Sequence, residues 1–426
     1  MNVDIVIAIG IFITMVSLLL YLTVQYVNRL PIISRVSEYR EKAKRFFESL
    51  FESEGSPENW EKVELPSQIG LERKLYRIPL LVADNSGISR INEFVKVDLI
   101  FDDKCKNKTW NNTVRIFDDS FNEIPFKFAF QNYCNEGYIS NATLTIKVNV
   151  SGNSKKKLFV YYSNDESVEE PNYTDWDLVL YLPFDEGTGN VAWDYSGYNN
   201  TGILNENVSW AYGKFGNAVN FDGSPNYVIV KNPLNLATFT LGFWIKPSKD
   251  GREGQAIMYN KLDDDFWLRY NYSSSLFCVY SSRWNPPGYH CTNEVAEDSK
   301  WSFCAISFNT THVNLYVNGN LDKSIQVSYD GNYIFDSETY IGGAPGENEP
   351  FFNGTIDEVK VWNRALSNEE IVSKNFTQPL LKIFPEQSLE LISPSKLDAL
   401  RKIEYEKAKS ILGENYEFRL EVNPVE

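Results

Sequence analysis

Short strand-like runs separated by turn-forming residues fill residues 178–371, and this pattern constrains the fold more than any other feature of the chain. The runs are rich in β-branched and aromatic residues, and they include Val228–Val230, Thr240–Ile245, Phe303–Phe308 and Val313–Val317. Clusters of Gly, Asn and Asp recur roughly every dozen residues, as in antiparallel β-sandwiches. No helical periodicity is visible, so the stretch is predicted to be all-β.

One dipeptide gives the most specific turn signal in the chain. Asn318-Gly319 lies between two apolar runs, and a two-residue type I′ turn needs positive φ at both central positions, which Asn and Gly tolerate. A tight antiparallel hairpin is therefore predicted at this point.

Larger motifs follow one another in a recognisable order across the same stretch. They are Phe184-Asp-Glu-Gly, Asp194-Tyr-Ser-Gly, Phe221-Asp-Gly, Leu315-Tyr-Val-Asn-Gly and Ile356-Asp-Glu-Val-Lys-Val-Trp. In this order and spacing, residues 176–376 resemble the LamG-like (concanavalin A-like lectin/glucanase) family, in the subgroup common on prokaryotic cell surfaces. The resemblance implies a jelly-roll sandwich that binds carbohydrate or protein.

A second β-rich unit occupies residues 76–165. Strand-like runs and polar turns alternate along it, and it ends in Tyr161-Tyr-Ser-Asn. It resembles an uncharacterised bacterial and archaeal domain that often precedes LamG-like modules, although Ser163 replaces the usual Gly. The resemblance implies architecture only, and we expect an Ig-like β-sandwich. Residues 166–175, which include Glu169-Glu-Pro, are the expected linker between the two units.

The N-terminus is predicted to be a membrane anchor. Residues Ile5–Val27 contain no charged side chain, and ~23 helical residues at ~1.5 Å each span roughly 34 Å, enough to cross a bilayer. A cleaved signal peptide is the alternative, but no Lys or Arg precedes the run and no small-residue cleavage site follows it. We therefore expect residues 1–30 to form an uncleaved transmembrane helix.

Two signals disagree about which side of the membrane the rest of the chain faces. Basic residues between Arg29 and Arg45 follow the anchor, and the positive-inside rule would keep them in the cytoplasm. Cysteines and N-glycosylation sequons favour the exterior. The sequons are Asn107, Asn111, Asn141, Asn149, Asn172, Asn199, Asn207, Asn271, Asn309, Asn353 and Asn375. Their confinement to the β-rich region leads us to expect an exterior, glycosylated C-terminal part.

The two flanks of the β-rich region are predicted to pack together near the membrane. Residues 31–75 form a stalk whose helix has an apolar face repeating at three- and four-residue spacing over Val36–Leu50. Residues 380–426 carry a predicted helix over Ser393–Leu412 and an alternating strand over 416–422. Short stretches of both flanks resemble small archaeal pilin-like or archaellum-accessory membrane proteins. The resemblance implies that the two β units are insertions into one membrane-proximal α+β module.

Five cysteines in an exterior protein suggest two disulfides and one leftover thiol. Cys105 and Cys134 are alone in the first β unit, so we expect them to pair. Cys278, Cys291 and Cys304 allow three pairings. We expect Cys278–Cys291, because a hairpin would bring these two together, with Cys304 buried and free in a core strand. The two histidines lack the cysteine spacing of a zinc site.

A non-catalytic binding role is the leading functional prediction. Trp and Tyr rings offer flat apolar faces with a polar edge, which suits stacking on sugar rings. Aromatic and basic residues surround the expected hairpin, and the candidate ligand contacts are Trp267, Arg269, Tyr270, Trp284 and Tyr289. The competing interpretation is that these aromatic residues fill the sandwich core. The alternative function is a structural or pilus-like surface scaffold without a small ligand.

Two other functional classes are disfavoured. Glycosidases place paired carboxylates on either side of the scissile bond, and the chain has no strand of the Glu-x-Asp-x-x-Glu type that would present them. It also lacks a Gly-x-Ser-x-Gly elbow, so glycoside hydrolysis and other catalysis are not expected. A net charge of −16 without a basic stripe argues against nucleic acid as a partner.

The resemblance also implies one structural calcium ion. LamG-like and related jelly rolls often hold one between the opening and closing strands, and the matching positions are Asp185 and Asp357, with a carbonyl oxygen from Gly223. Calcium takes six to eight oxygen ligands, so backbone carbonyls and water would complete the shell. The alternative is that both Asp side chains cap turns by accepting hydrogen bonds from nearby N–H groups.

Overall fold

The computed structural model describes residues 72–374 apart from short gaps, together with backbone segments at 55–56, 68–69, 380–383 and 387–392. The gaps are at 103, 106–108, 135–136, 165–167, 206–207, 249–250, 261–265, 295, 332–333 and 336. Side chains are described from residue 76 to residue 374 outside these gaps.

The described residues are mostly β-strand. The strands up to residue 163 are β1 (Gly55–Ser56), β2 (Gln68–Ile69), β3 (Glu72–Ala83), β4 (Arg90–Ile100), β5 (Arg115–Asp118), β6 (Phe126–Tyr133), β7 (Ile139–Val150) and β8 (Lys155–Ser163). The next are β9 (Leu178–Leu182), β10 (Val191–Ala192), β11 (Gly202–Leu204), β12 (Ser209–Tyr212), β13 (Asn217–Asp222), β14 (Val228–Val230), β15 (Phe239–Pro247), β16 (Gln255–Asn260), β17 (Phe266–Asn271) and β18 (Leu276–Tyr280). The last are β19 (Trp284–Asn285), β20 (His290–Cys291), β21 (Ser302–Phe308), β22 (His312–Val317), β23 (Asn320–Gln326), β24 (Ser328–Tyr329), β25 (Thr339–Ile341), β26 (Asn353–Trp362), β27 (Leu380–Ile383) and β28 (Gln387–Ile392). One α-helix, α1, spans Asn368–Lys374.

The first sandwich consists of two antiparallel sheets. One has the order β27-β3-β8-β5, with β28 also paired to β3, and the other has the order β4-β7-β6. Because alternate strand positions face the same side, residues such as Val82, Leu144 and Val160 become fully buried between the sheets. Two packed sheets form here, and the first of them also takes strands from both predicted flanks. Strand β3 begins at Glu72, and the chain returns at residues 380–392 to pair with it.

The second sandwich packs two larger sheets against each other. We call the sheet β10-β11-β14-β25-β16-β17-β18-β20 the open sheet and the sheet β12-β13-β26-β15-β21-β22-β23, with β9 paired to β26, the closed sheet. Their inner faces form one apolar core that includes Leu182, Val228, Leu241, Leu268 and Ile306. The predicted two-sheet β architecture is confirmed, since paired antiparallel strands make up both sheets.

Two local predictions for this region, a hairpin turn at Asn318-Gly319 and the absence of helix, fared differently. Asn318 and Gly319 have φ of 49° and 83°, which confirms the predicted hairpin turn between β22 and β23. The prediction that no helix occurs before residue 371 was wrong, because α1 begins at Asn368. A capping box explains it: the Ser367 N–H donates to the Glu370 carboxylate at 2.9 Å, and the Glu370 N–H donates to the Ser367 hydroxyl at 3.3 Å.

Aromatic residues fill the interface between the two sandwiches. Phe94 on β4 contacts Trp176 edge to face, with ring centroids 5.0 Å apart. Both belong to a buried cluster with Trp244 and Tyr316, which lie on the outer face of the closed sheet. The cavity between these layers has a volume of only about 10 Å³. This face of the closed sheet is therefore occupied by the first sandwich.

Buried ion pairs fix the same interface. The Lys374 ammonium group at the end of α1 donates to the carbonyls of Ile91 and Asn92 at 2.8 and 3.0 Å. It also pairs with the Glu93 carboxylate at 3.2 Å, and both side chains are 5% exposed. Burial lowers the pKa of Lys374, and the negative charge of Glu93 opposes that effect. Removal of either partner would leave a buried charge without compensation.

A second charged group lies at the first turn of α1. Arg364 binds the carboxylates of Asp177 and Glu370, and the amide of Asn92 donates to Glu370 at 2.8 Å. Burial would raise the pKa of Glu370, but the hydrogen bonds from Arg364 and Asn92 outweigh it and lower this pKa to about 2. Residues of both sandwiches therefore stabilise one ionised carboxylate.

The expected linker is a packed connection. The Asn112 amide donates to the carbonyl of Val168 at 2.6 Å, and the Tyr173 hydroxyl donates to Glu123 at 3.0 Å. Tyr173 also packs against the core of the first sandwich. The described part of this segment thus lies along the first sandwich and does not act as a free tether.

Among the described residues, no helix is both long and apolar enough to span a bilayer. The predicted anchor at 1–30, the stalk helix, the C-terminal helix and the C-terminal strand fall outside the residues that the structure describes.

Candidate functional site

The open sheet carries a continuous row of apolar side chains on its outer face. Antiparallel pairing places seven residues side by side across seven strands, in the order Val191, Ile203, Ile229, Tyr340, Tyr259, Trp267 and Tyr280. Their immediate neighbours along the strands, such as Val228 and Leu268, point into the core. An outward face of an antiparallel sheet is usually polar. An apolar row on this face is therefore unusual, and it indicates that something covers or binds the row.

A loop of the second sandwich crosses the middle of the row. Ala344 packs in one cluster with Tyr259, Trp267 and Tyr340, and the Tyr259 hydroxyl donates to the Glu347 carboxylate at 3.1 Å. Tyr259 and Tyr340 are consequently 1% and 5% exposed. Burial, followed by the hydrogen bond to Glu338, raises the pKa of Tyr340 above its usual range. The two ends of the row remain half-buried.

Arg269 organises the end of the row at β17 and β18. Its guanidinium lies over the rings of Trp267 and Tyr289, at 4.7 and 4.3 Å from their centroids. One terminal nitrogen donates to the Glu349 carboxylate at 2.7 Å, while the buried Nε has no hydrogen-bond partner among the described atoms. Tyr289 is 41% exposed, and its ring centroid is 5.3 Å from that of Tyr280. These side chains form a rigid aromatic platform with polar groups at its edge.

A disulfide holds the platform's exposed ring in place. Cys278 and Cys291 are direct cross-strand neighbours on β18 and β20, and they form a disulfide with Cα atoms 3.9 Å apart. Arg269 is the cross-strand neighbour of Cys278 on the other side. The bond therefore ties the short edge strand β20, and Tyr289 just before it, to the centre of the candidate site.

The predicted ligand contacts divide into two groups. The structure brings Trp267, Arg269 and Tyr289 together on the outer face of the open sheet. It places Tyr270 and Trp284 in the core between the sheets, where they are 1% and 2% exposed. Tyr270 points inward because it is one position out of phase with Arg269. These two residues are removed from the candidate site, and the core-filling interpretation applies to them.

Several residues of the outer row were not among the predicted ligand contacts. Tyr280 alternates with the core residue Val279, so strand periodicity could have placed it on the outer face. Tyr259 and Tyr340 could not be connected in this way, because their adjacency arises from pairing between strands about 80 residues apart in the chain.

The side chains at the expected calcium site do not fit calcium. Asp357 is fully buried, and one of its carboxylate oxygens accepts from the Phe215 N–H at 3.0 Å. Asp185 pairs with the Lys96 ammonium at 2.7 Å and accepts from the Asn217 N–H at 3.3 Å. Calcium needs surrounding oxygen ligands, whereas the partners that these two carboxylates have are N–H donors and an ammonium group. The turn-capping interpretation describes both residues.

Gly223 does not join the two carboxylates. It follows β13, whose last residue, Asp222, pairs with Asn353, four positions along β26 from Asp357. At ~3.3 Å per residue, Gly223 therefore lies roughly 13 Å from Asp357. The Gly223 carbonyl instead accepts a hydrogen bond from Arg252. Among the described residues, no group of three or more His, Cys, Asp or Glu side chains could hold a metal ion.

Burial makes Asp357 an unusual carboxyl group. Desolvation, followed by the negative charges of Glu358 and Asp185, raises the pKa of Asp357 to about 8, although the backbone N–H groups of Lys214 and Phe215 oppose the shift. Its second oxygen, Oδ1, has no hydrogen-bond partner among the described atoms. The group is therefore protonated near neutral pH.

The remaining predicted cysteines pair as expected. Cys105 and Cys134 form a disulfide with Cα atoms 5.8 Å apart. Cys304 is free and buried on β21, and burial raises the pKa of its thiol, which makes it unreactive.

The sequon asparagines lie in different environments. Asn149, Asn172, Asn199 and Asn309 have exposed side chains. The amides of three others already donate hydrogen bonds within the chain: Asn111, Asn141 and Asn271. Asn353 is half-buried on β26, and Asn107, Asn207 and Asn375 lie outside the described residues.

Comparison with known families finds one match within the second sandwich. Residues 222–372 match Laminin_G_3, described as the concanavalin A-like lectin/glucanases superfamily. This part of the chain is therefore similar to lectin-like jelly-roll domains, in agreement with the resemblance of the motifs. No curated protein matches the chain by sequence.

Several solved structures are similar to part of the chain. Domain 4 of AbnA, a GH43 extracellular arabinanase from Geobacillus stearothermophilus in complex with arabinotriose, is 17% identical. It covers 46% of this chain and 97% of its own, with a TM-score of 0.37. The receptor binding domain of botulinum neurotoxin D is 22% identical over 47% of this chain and 52% of its own, with a TM-score of 0.37. The binding domain of Paraclostridial Mosquitocidal Protein 1 is 16% identical over 47% and 52%, with a TM-score of 0.40. The chain spans about half the length of these toxin domains.

Proposed function

We propose that the chain is a non-catalytic recognition protein whose second sandwich binds saccharides on the open sheet. The observation that carries the proposal is the aromatic platform at the β17–β18 end of the outer row, where Tyr280 is half-buried and Tyr289 is 41% exposed. Apolar rings therefore remain accessible at this end of the sheet face, whereas a loop covers its middle. The lectin superfamily match over residues 222–372 supports the same class of function.

The β17–β18 end of the row suits a sugar ligand. Tyr280 and Tyr289 offer adjacent rings on which the apolar face of a pyranose can stack. Arg269 and Glu349 stand beside them as a donor and an acceptor for hydroxyl groups. Because Arg269 is held by two rings and one carboxylate, little side-chain entropy is lost when a ligand binds.

Binding by the full chain tests this proposal. Affinity electrophoresis through gels containing xylan, arabinan, mannan or β-glucan should retard the wild-type chain with at least one polysaccharide. Tyr289→Ala should weaken that binding about tenfold, or about 1.4 kcal/mol, without a change in thermal stability. Tyr212→Ala is the matched control, since Tyr212 is 93% exposed at the edge of the closed sheet and should have no effect. Equal losses in both variants, or none in either, would contradict the assignment to the open sheet.

We further propose that residues 5–27 anchor the chain in a cell membrane and that the sandwiches face the exterior. Two disulfides and four exposed sequon asparagines support this orientation. Glycopeptide mass spectrometry of native protein should find glycans on Asn149, Asn172, Asn199 or Asn309, and added protease should cleave the sandwiches on intact cells. Unmodified asparagines together with full protection from protease would place the sandwiches inside.

A surface scaffold without a small ligand is the second candidate, and the rigid interface between the sandwiches favours it. Light scattering of the full chain in detergent distinguishes the two. Self-association with no retardation in any of the gels would support the scaffold. Release of reducing sugar ends from the same polysaccharides would instead show that the chain is a glycoside hydrolase.

A further inference from the structure

A groove lies at one end of the second sandwich, away from the platform residues described above. Its volume is about 340 Å³, which falls within the range of small-molecule sites. Three connections between strands and the start of β9 build its walls. The lining residues are Val179, Tyr198, Asn200, Asn363 and the loop 233–236.

The chemistry of the walls restricts the ligand. Among the described residues, none of those that line the groove is charged, so an ionic ligand would find no counter-charge on its walls. Leu234 and Pro233 give apolar contact, while Asn235 and Asn363 have exposed side-chain amides that can both donate and accept. Asn200 is held in place, because its amide donates to the Val179 carbonyl at 2.8 Å.

Tyr198 supplies an aromatic wall that the first sandwich holds in position. Its side chain is 44% exposed, and the Lys127 ammonium of β6 lies 3.5 Å from the ring centroid. Gly197 permits this close approach, because a Cβ atom there would lie 2.7 Å from the Lys127 side chain and its φ is +84°. The aromatic wall therefore depends on contact between the two sandwiches, and ligand sites are frequent at such junctions.

The geometry points to a second binding site for a neutral saccharide in this groove, with Tyr198 as the stacking ring and Asn235 and Asn363 as the hydrogen-bonding amides. The inference rests on the proposed saccharide-binding function and extends it from one site to two. Two sites on one rigid unit would bind a polysaccharide more tightly than either site alone, because the second contact is intramolecular.

Calorimetric titration of the full chain with neutral hexasaccharides tests the inference. The probes are xylohexaose, arabinohexaose, mannohexaose and cellohexaose, with hexagalacturonate as the charged control. All chains carry Asn199→Gln, so that a glycan attached beside Tyr198 cannot occupy the groove. The parent should bind two molecules of a neutral probe per chain, while Tyr198→Ala and Tyr289→Ala should each bind one. Asn363→Ala should weaken the same site as Tyr198→Ala, and Tyr212→Ala should change neither site.

Each other outcome has a distinct meaning. One bound molecule in the parent, lost in Tyr289→Ala and unchanged in Tyr198→Ala, would overturn the groove site and leave the proposed function intact. One molecule lost only in Tyr198→Ala would support the groove and overturn the open-sheet site. Tighter binding of hexagalacturonate than of every neutral probe would contradict the neutral ligand class. No binding of any probe would overturn both proposals.

Discussion

The outer faces of the two sheets of the second sandwich are both apolar, but different parts of the chain cover them. On the closed sheet, Trp244 and Tyr316 are covered by Phe94 and Trp176, and ion pairs such as Lys374–Glu93 seal the contact. On the open sheet, a loop of the same sandwich covers Trp267 and Tyr340, whereas Tyr280 stays half-buried and Tyr289 is 41% exposed. One outer face therefore docks a neighbouring sandwich, and the other keeps two rings accessible, which the proposed function assigns to a ligand.

The charges at the two faces show why the faces differ. The closed face contains oppositely charged pairs that are almost fully buried, which suits a permanent interface where every charge has a partner. At the open face, Arg269 and Glu349 are 17% and 29% exposed, so they keep contact with solvent and can exchange it for ligand hydroxyls. Buried paired charge thus marks the face that docks the first sandwich, and accessible paired charge marks the face that the proposed function assigns to binding.

The largest effect is expected from the closed face. Lys374→Met should destabilise the chain by about 3–5 kcal/mol, because it leaves the buried Glu93 carboxylate without a partner. Urea unfolding followed by tryptophan fluorescence measures this loss. The double change Lys374→Met with Glu93→Leu should recover most of it, since both charges are then removed.

An exposed pair provides the control for this experiment. Lys300 and Glu297 form an ion pair with side chains 69% and 59% exposed, and such pairs contribute little to stability. Lys300→Met should leave the urea midpoint unchanged. A loss for Lys374→Met no larger than that for Lys300→Met would show that the closed face is not a sealed interface.

The two disulfides give a second, smaller contrast. Replacement of Cys278 and Cys291 by Ser should destabilise the chain by about 3 kcal/mol and also weaken saccharide binding, because Tyr289 loses its tether. Replacement of Cys105 and Cys134 by Ser should affect stability to a similar extent without any effect on binding. Thermal unfolding and gel retardation of both double variants measure the two effects. Equal weakening of binding in both variants would break the link between the hairpin disulfide and the site.

The smallest effect concerns Asp357. Folding raises its pKa from an ordinary value of 3.8 to about 8, so the folded chain holds a proton that the unfolded chain has released between these values. The free energy of unfolding should therefore fall as pH rises through this window, by about 1.4 kcal/mol per pH unit from this group. Asp357→Asn mimics the protonated form and should remove that part of the slope between pH 6 and pH 7. Identical slopes in the two chains would show that the carboxyl is ionised in the fold.

Strand periodicity and turn chemistry predicted much of the fold. The I′ turn at Asn318-Gly319, the two sandwiches and the disulfide partners follow from local pattern and chain order. The role of Ser367 and Glu370 in starting α1 could also have been read from the sequence as a capping box, and it was missed. The two flanks were expected to pack together, but the pairing of β27 and β28 with β3 could not be predicted, because no local signal links residues 72–83 to residues 380–392.

The candidate site was only half accessible to sequence reasoning. The structure brings Trp267, Arg269 and Tyr289 together near Cys278 and Cys291, but strand phase decides which side chains face out, and Tyr270 differs from Trp267 and Arg269 only in that phase. The groove at Tyr198 depends on Lys127 from the other sandwich, and nothing in either segment alone indicates the contact. Sites that form between distant strands or domains can be identified only once the fold is known.

Hydrogen exchange of the full chain, with and without a saturating saccharide that retards it in gels, tests the central claim most directly. The account predicts slower exchange in peptides that cover residues 266–291, because a ligand on Tyr280 and Tyr289 would damp the opening of β17, β18 and β20. Exchange in β4 and α1 should be unchanged, since the closed face is already sealed. Protection confined to β4 and α1, with none at residues 266–291, would contradict the assignment of docking to one face and binding to the other.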